Sequence, residues 1–472
     1  MYNILQNREI LGRERRKAML PERFCERARE LLGEEYPDFL AALEGEAIRG
    51  VRANLIKTNA KRVSELFGEE INPLDYCDNG FTVESSIRLG HTAEHHAGMI
   101  YAQDPGAMAT VAAIELRGDE LVLDACAAPG GKSSQVAEQL TTGSLLSNEY
   151  VPKRAKIIVG NFERLGVKNA LVTSLDTAQL GKMYDAVFDL VIVDAPCSGE
   201  GMFRKSEEAL AEWSEENVRL CAERQIDILN NLAPTVKGGG RLLYSTCTYA
   251  PEENEFAVDA FLKSHPDFHI VRVKDEVERV TRDGIRFEGI SAENIEYCRR
   301  FYPHVSRGEG QFLALLEREN NNKMSAFIYN DCTKPLSKSE RSAVEAFFRD
   351  SLTEAPEGRL AKYGENIVLI SHGLPVPPHS VFMSGVLVGE IAGSVFKPSH
   401  QFFSVFGELF KSRLYLTQGD REVDDYLLGR EIASEAKNGW CAVIYEGSCL
   451  GGGKVSGGRL KNHYPKGLRN KG

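Results

Sequence analysis

The sequence predicts an open, doubly wound α/β sheet with smaller α+β units at either end. Three observations predict it. Five short apolar runs between residues 121 and 247 alternate with stretches of helical spacing, the pattern of buried parallel strands joined by crossover helices. A glycine-rich turn, "DACAAPGGKSS" (124–134), ends the first run and opens a helix, as at the ligand-bearing edge of such sheets. At 472 residues the chain is also longer than one domain usually is.

Residues 1–95 read as an N-terminal α+β domain. A helix starts after Pro21, and "RGVRANLIKT" resembles a strand, with Arg49, Arg52 and Lys57 available. Residues 96–318 hold the main sheet. Its strands are "LVLDAC" (121–126), "LLSNE" (145–149), "ALVTSL" (170–175), "DLVIVDAP" (189–196) and "GRLLYSTC" (240–247), with "FHIVRV" (268–273) and "QFLALLE" (311–317) as final strands. Val218, Cys221, Gln225, Ile228 and Leu232 follow helical spacing, and "KGGG" (237–240) is expected to stop that helix. Another helix is expected to open at Pro251, with Glu252, Glu253 and Glu255 opposing its positive end. Residues 319–402 form an extension mixing a helix, "KSERSAVEAFFRD", with strands "ENIVLIS" and "GVLVGEIAG" and a connecting loop, "SHGLPVPPHS". Residues 403–472 add the strand "WCAVIYEG" and a basic end.

The formal net charge of −11 argues against a protein that coats nucleic acid indiscriminately, but binding depends on local positive surface. The end "KVSGGRLKNHYPKGLRNKG" supplies such a surface. Lys454, Arg459, Lys461, Lys466, Arg469 and Lys471 occur there without an acid, interleaved with His463 and Tyr464, as in a folded, phosphate-contacting end. Ten cysteines are scattered with no C-x-x-C pair, so neither a disulfide framework nor a metal site is expected. No apolar run reaches the ~20 residues of a membrane span. The start "MYNILQNREILGRERRKAML" lacks the apolar core of a signal peptide. A soluble, cytoplasmic protein is expected.

The turn at 124–134 narrows the cofactor. A phosphate-binding P-loop needs glycine where Cys126 stands, and no G-x-G-x-x-G is present there. An adenosine without phosphate remains, namely S-adenosylmethionine. Such a ligand wants a carboxylate for its ribose after the second strand, where Glu149 lies, and a polar group for adenine after the third, where Asp176 lies.

The fourth and fifth strands end in "DAPCSGEGMFRK" and "STCTYAPEENE", which brings Cys197 and Cys247 over one crevice, with Asp194 just ahead of Cys197. Methyl transfer to oxygen or nitrogen has no use for thiols. Carbon 5 of a pyrimidine is a poor nucleophile, and a thiolate adding to carbon 6 turns the ring into an enamine that attacks the methyl group. Asp194 is placed to hold nitrogen 3 and the exocyclic amine as charge develops. The residues alone leave open which thiol attacks. Arg204 and Lys205, beyond "GEGMF", are candidates for RNA phosphates. His304 with Gly308 and Gly310 reads as a tight loop shaping the site, and His95 and His96 read as structural.

Over residues 90–317 the chain resembles the Nol/Nop/Sun RNA cytosine-carbon-5 methyltransferases, through "YAQDPGAM", "DACAAPGGK", "DAPCSGEGMFRK", "STCTYAPEENE" and "FYPHVSRGEGQF". Its layout is similar to the bacterial RsmF-type small-subunit rRNA enzymes, whose longer carboxyl-terminal extension ends in a PUA-like domain; "LKNHYPKGLR" fits that ending. The resemblance implies a Rossmann-like class I methyltransferase sheet and a PUA-like RNA-binding domain at 403–472. It implies Cys247 as nucleophile and Cys197 as the thiol assisting product release. It also implies cofactor contacts along Cys126, Ala127, Ala128, Pro129, Gly130, Gly131 and Lys132, in the motif opened by Asp124, and from Glu149, Asp176 and Asp194. Lys132 would reach the reacting site too, and Lys461, Lys466 and Arg469 would meet RNA. The substrate implied is structured RNA, foremost 16S rRNA. Alternatives are the same chemistry on tRNA, a non-catalytic RNA-binding assembly factor, and a P-loop ATPase, which Cys126 disfavours.

Overall fold

The strand Phe188–Asp194 shows how the centre is built in the computed structural model of the chain, which describes residues 20–320, 323–392 and 395–470. The segment before Leu20 and the basic Lys471 lie outside the described residues. Side chains alternate between the faces of a strand. Leu190 and Ile192 accordingly join one apolar core with Met108, Val136, Ile158 and Phe162. Val191 and Val193 join a second core with Leu180, Ile228, Leu229 and Phe261. Helices therefore cover both faces, and the strands read as unbroken apolar runs for that reason.

Five parallel strands lie in the spatial order Ala170–Thr173, Ser144–Asn148, Leu121–Asp124, Phe188–Asp194 and Val236–Thr246. Gln311–Arg318 continues the sheet antiparallel to the last of these and pairs in turn with Phe268–Val271. The chain winds outward in one direction from Leu121–Asp124 and then returns to wind in the other. The switch point, where such sheets bind ligands, is therefore between Leu121–Asp124 and Phe188–Asp194.

Two helix boundaries differ from expectation. The helix Glu215–Leu232 stops before "KGGG", through a 3-10 turn at Ala233–Thr235 that contains Pro234. The glycines belong to the strand Val236–Thr246, where Gly239 (φ +74°) sits at an irregularity in the register with Phe188–Asp194. A glycine signal that reads as a helix stop lies here inside a strand, where the pairing with Phe188–Asp194 shifts register. Pro251 opens a 3-10 turn, Pro251–Glu253, and the helix proper is Glu255–Ser264.

The N-terminal unit pairs the helices Glu22–Leu32 and Tyr36–Glu44 with a four-stranded sheet in the order Ile71–Leu74, Cys77–Val83, Arg49–Ala53 and Ile100–Ala102. Its last strand lies past the expected boundary at residue 95. The extension folds as a four-stranded sheet, Arg359–Tyr363, Asn366–Ile370, Val386–Ala392 and Val395–Pro398. It also lends Val381–Ser384 to the edge of the central sheet, antiparallel to Ala170–Thr173, covering backbone that an open edge would expose. A five-stranded sheet between Arg413 and Asn462 closes the chain.

Polar residues lock these units together. Arg52 is fully buried, paired with Glu138 and donating to Gln103 and Ser134. Lys57 donates to the Ser404 carbonyl and hydroxyl, and burial pushes its ammonium down to about 8. Arg49 donates to the carbonyls of Ser85 and Ile87. The three cations expected to be available thus all donate to partners within the protein. His96 bridges to the C-terminal unit, 2.8 Å from the Tyr464 hydroxyl and 2.9 Å from Asn470 Oδ1. Burial pushes neighbouring His95 down to about 3. Among the described residues no helix is long and apolar enough to cross a membrane.

Candidate active site

The site grows from the carboxyl ends of the parallel strands. After Asp124 the chain turns through Cys126–Gly130 into the helix Gly131–Ala137. Gly130 sits at φ +105°, in the left-handed region that glycine occupies without penalty. Neighbouring elements hold the turn by its backbone. The Ala127 amide donates to the Asn148 carbonyl at 2.8 Å, Arg154 donates to the Ala128 carbonyl at 3.1 Å, and Asn161 donates to the Pro129 carbonyl at 2.9 Å.

Asp124 lies wholly buried beneath this turn. Its Oδ2 accepts from the Ser133 hydroxyl at 2.6 Å, while Oδ1 has no hydrogen-bond partner among the described residues. Burial pushes its carboxyl up to about 7. At the next strand end Glu149, also buried, accepts from the Val151 amide at 3.0 Å and lies 3.4 Å from Arg154. Asp176, after the third strand, caps the helix Thr177–Met183 by accepting from the Gln179 amide at 2.7 Å. Sequence reading missed Asn148. Its amide donates to the carbonyls of Ala125 and Leu175 and its oxygen accepts from Leu175 and Thr173, tying three strand ends together. The available signal was an amide at the last position of a buried strand, where an unpaired group is costly.

The fourth and fifth strands deliver the thiols. Cys197 Sγ and Cys247 Sγ are 3.2 Å apart, and the Cys247 amide donates to Cys197 Sγ at 3.3 Å. The hydrogen bond with Cys247, followed by burial, holds the Cys197 thiol well above its usual range. Either thiol can donate to the other across this contact. Beside them Lys132 Nζ lies 2.8 Å from Asp194 Oδ2, and the Ser245 hydroxyl donates to Asp194 Oδ1 at 2.7 Å. The backbones of three motifs converge at the same point. The Gly201 amide donates to the Cys247 carbonyl at 2.9 Å, and a Cβ on Gly201 would stand 2.6 Å from the Gly310 carbonyl. Side chains as large as alanine would push these segments apart.

The structure gathers Asp124, the Cys126–Lys132 turn, Glu149, Asp176, Asp194, Cys197 and Cys247 on this one edge. It corrects the expectation for Arg204, whose buried guanidinium pairs with Glu309 at 2.7 Å and donates to the carbonyls of Ala42, Glu46 and Gly308. Lys205 is exposed but ion-paired, 2.5 Å from Asp104 and 3.6 Å from Glu309. Neither presents a free cation to a phosphate. Lys461 and Lys466 are exposed on the C-terminal unit, whereas Arg469 spends its guanidinium on the Tyr464 carbonyl. His304 contacts Glu35 at 3.0 Å and packs edge-on against Phe39. Among the described residues no group of three or more His, Cys, Asp or Glu is arranged to hold a metal ion.

Comparison with known proteins places this geometry. Residues 111–317 match the family described as 16S rRNA methyltransferase RsmB/F. Residues 20–105 match the N-terminal domain of 16S rRNA methyltransferase RsmF, and 416–470 match the methyltransferase RsmF PUA domain. Ribosomal RNA small subunit methyltransferase F of Aeromonas hydrophila is 30% identical over 451 residues, covering 91% of this chain and 93% of that protein. Its namesake in Vibrio vulnificus is 29% identical over 480 residues, covering 95% and 97%. Among solved structures, a methyltransferase homolog from Pyrococcus horikoshii superposes with a TM-score of 0.56 at 26% identity, over 63% of this chain and 95% of that one. NSun6 from the same organism, at 20% identity and a TM-score of 0.54 over 64% and 99% of the two chains, shares the fold.

Proposed function

The chain belongs to the ribosomal RNA small subunit methyltransferase F family, and on that premise we propose that it methylates carbon 5 of a cytosine in 16S rRNA, in the cytoplasm, through a transient bond between Cys247 and carbon 6. The observation that carries this reading is the contact of two free thiols, 3.2 Å apart, at the carboxyl ends of adjacent strands.

The residues fit S-adenosylmethionine. Asp124 has an unpartnered buried oxygen under the glycine turn, and Glu149 and Asp176 follow at the next two strand ends, where an adenosine's polar groups need acceptors. No phosphate-binding lysine is left over, because Lys132 is spent on Asp194. Cys126–Lys132, Glu149, Asp176 and Asp194 would hold the cofactor. When bound it supplies an electrophilic methyl group on a sulfonium.

The chain's own residues do the rest. RNA is held through Lys461, Lys466 and the C-terminal unit, and the target base is taken out of its stack into the crevice. The Cys247 thiolate adds to carbon 6, forming an S–C bond and leaving carbon 5 electron-rich. Asp194, fixed by Lys132 and Ser245, accepts from the exocyclic amine, and nitrogen 3 takes a proton from water as charge shifts onto it. After methyl transfer the carbon-5 proton passes to water, and the C–H pair re-forms the carbon 5–carbon 6 double bond as the S–C bond breaks with its pair going to Cys247. Nitrogen 3 returns its proton to water, and the Cys197 thiol stabilises the departing sulfur.

Bisulfite sequencing of RNA from cells lacking this protein tests the reading. One conversion-resistant cytosine in 16S rRNA is expected to disappear, and to return with the wild-type gene but not with Cys247→Ala. An unchanged rRNA pattern contradicts the reading, and a loss confined to tRNA moves the substrate.

A further inference from the structure

We propose that Glu253, acting with Gln225, is a positioning residue that holds the Cys197 loop in reach of the Cys247 sulfur; the inference rests on the release role given to Cys197 above. Cys197 sits between Asp194 and Glu200, in a stretch with no regular secondary structure, so hydrogen-bonded neighbours must set its place. Glu253, in the turn after Cys247, is fully buried, and its Oε2 accepts the Ser198 amide at 2.9 Å and Gln225 Nε2 at 2.8 Å. Gln225, also fully buried on the helix Glu215–Leu232, donates its second amide proton to the Pro196 carbonyl at 3.0 Å. The residues on both sides of Cys197 are therefore held by one carboxylate–amide pair arriving from two different elements.

That pair is itself anchored. The Tyr244 hydroxyl donates to the Glu253 carbonyl at 2.6 Å, tying the turn to the strand that ends in Cys247. A reciprocal brace runs the other way. Glu200, just past Cys197, accepts from the Thr248 hydroxyl and the Tyr249 amide, both at 3.0 Å, just past Cys247. The Ser198 and Thr248 hydroxyls also meet at 2.9 Å. None of these bonds involves either sulfur, so Glu253 does no chemistry itself; it sets where Cys197 stands.

The step exposed to this positioning is the last one. The S–C6 bond breaks with its electron pair going to Cys247 sulfur, and the Cys197 S–H must point at that sulfur as charge develops. A displacement of about 1 Å is enough to lose such a bond and to slow a step by up to about a hundredfold. Addition and methyl transfer, which need Cys247 rather than Cys197, are spared.

Full-length Glu253→Ala, Glu253→Gln, Gln225→Leu and Cys197→Ala are compared with wild type, using RNA and S-adenosylmethionine labelled in the methyl group. Glu253→Ala is expected to incorporate methyl in the first turnover within about twofold of wild type. Its multiple-turnover rate is expected to fall about tenfold to a hundredfold, and a denaturant-resistant protein–RNA adduct carrying label to accumulate. Glu253→Gln keeps a carbonyl oxygen for both bonds and is expected to turn over like wild type, without adduct. Gln225→Leu breaks the same brace from the helix side and is expected to accumulate adduct, which preserves the test if Glu253→Ala fails to fold. Adduct from Cys197→Ala but from neither Glu253→Ala nor Gln225→Leu overturns this inference and leaves the release role intact. Loss of first-turnover transfer without adduct in Gln225→Leu overturns it as well. No adduct from Cys197→Ala removes the release role, and this inference with it.

Discussion

Arg52, at the seam between the N-terminal sheet and the central domain, and Asp124, in the crevice, are both wholly shielded from solvent. Arg52 divides its guanidinium among Glu138, Gln103 and Ser134. Asp124 keeps one oxygen without a partner, and its carboxyl is pushed up to about 7. Two other seam residues follow Arg52: His96 uses both ring nitrogens, and Arg204 is bound by a carboxylate and three carbonyls. In the crevice Asp124 is joined by two free thiols in contact. These seam residues spend their polar groups on holding the units together, whereas Asp124 and the two thiols keep capacity for a ligand and a base.

Several substitutions sharpen or break that contrast. Cys247→Ala is expected to reduce methyl transfer by at least about 10³-fold with an unchanged melting temperature; residual transfer near wild type removes Cys247 from the chemistry. At the seam, Glu138→Ala strands the Arg52 charge in the interior. A stability loss of about 3–5 kcal/mol in denaturant titration is expected, with activity per folded molecule preserved. A loss of activity without a loss of stability would erase the distinction between the regions. Asp194→Asn keeps the shape but not the charge that faces Lys132, and kcat is expected to fall about 10²–10³-fold without loss of stability.

Asp124 yields a prediction in pH. Its folded carboxyl is raised from the ordinary 3.8 to about 7. The stability it contributes is therefore fully present below the ordinary value and lost as pH rises through about 7. Cofactor-free wild type is expected to lose more melting temperature over that window than Asp124→Asn, and equal slopes would show that Asp124 is not held protonated. The smallest effect is expected from Lys461→Ala with Lys466→Ala. RNA affinity should weaken severalfold, with a salt dependence shallower by about 0.7–0.9 for each phosphate no longer neutralised; an unchanged salt slope would place the RNA elsewhere.

The central sheet and the crevice were legible because their signals are local. Apolar runs mark the buried strands, and the turn at 124–134 and the two cysteine motifs sit at strand ends where this topology puts its ligands. Arg204 and Arg52 misled because their partners, Glu309 and Glu138, are remote in sequence, and a cation reads alike whether it faces RNA or a buried carboxylate. The triple glycine at 238–240 carried a real signal whose meaning, helix stop or register shift within a strand, depends on the register of a neighbouring strand. The strand Val381–Ser384 joins a sheet formed some two hundred residues earlier, and only tertiary structure shows that. Gln225 lay in plain view on a helical stripe as its one non-apolar member, yet its hold on Pro196 and Glu253 required coordinates.

The most direct test traps the sulfur–carbon bond. Cys197→Ala is incubated with RNA and S-adenosylmethionine, the denaturant-resistant product is digested, and the peptide that carries a nucleotide is identified by mass spectrometry. The expected result is a methylated cytidine attached at Cys247. Attachment at any other residue, or no adduct while wild type methylates the same RNA, contradicts covalent catalysis by Cys247.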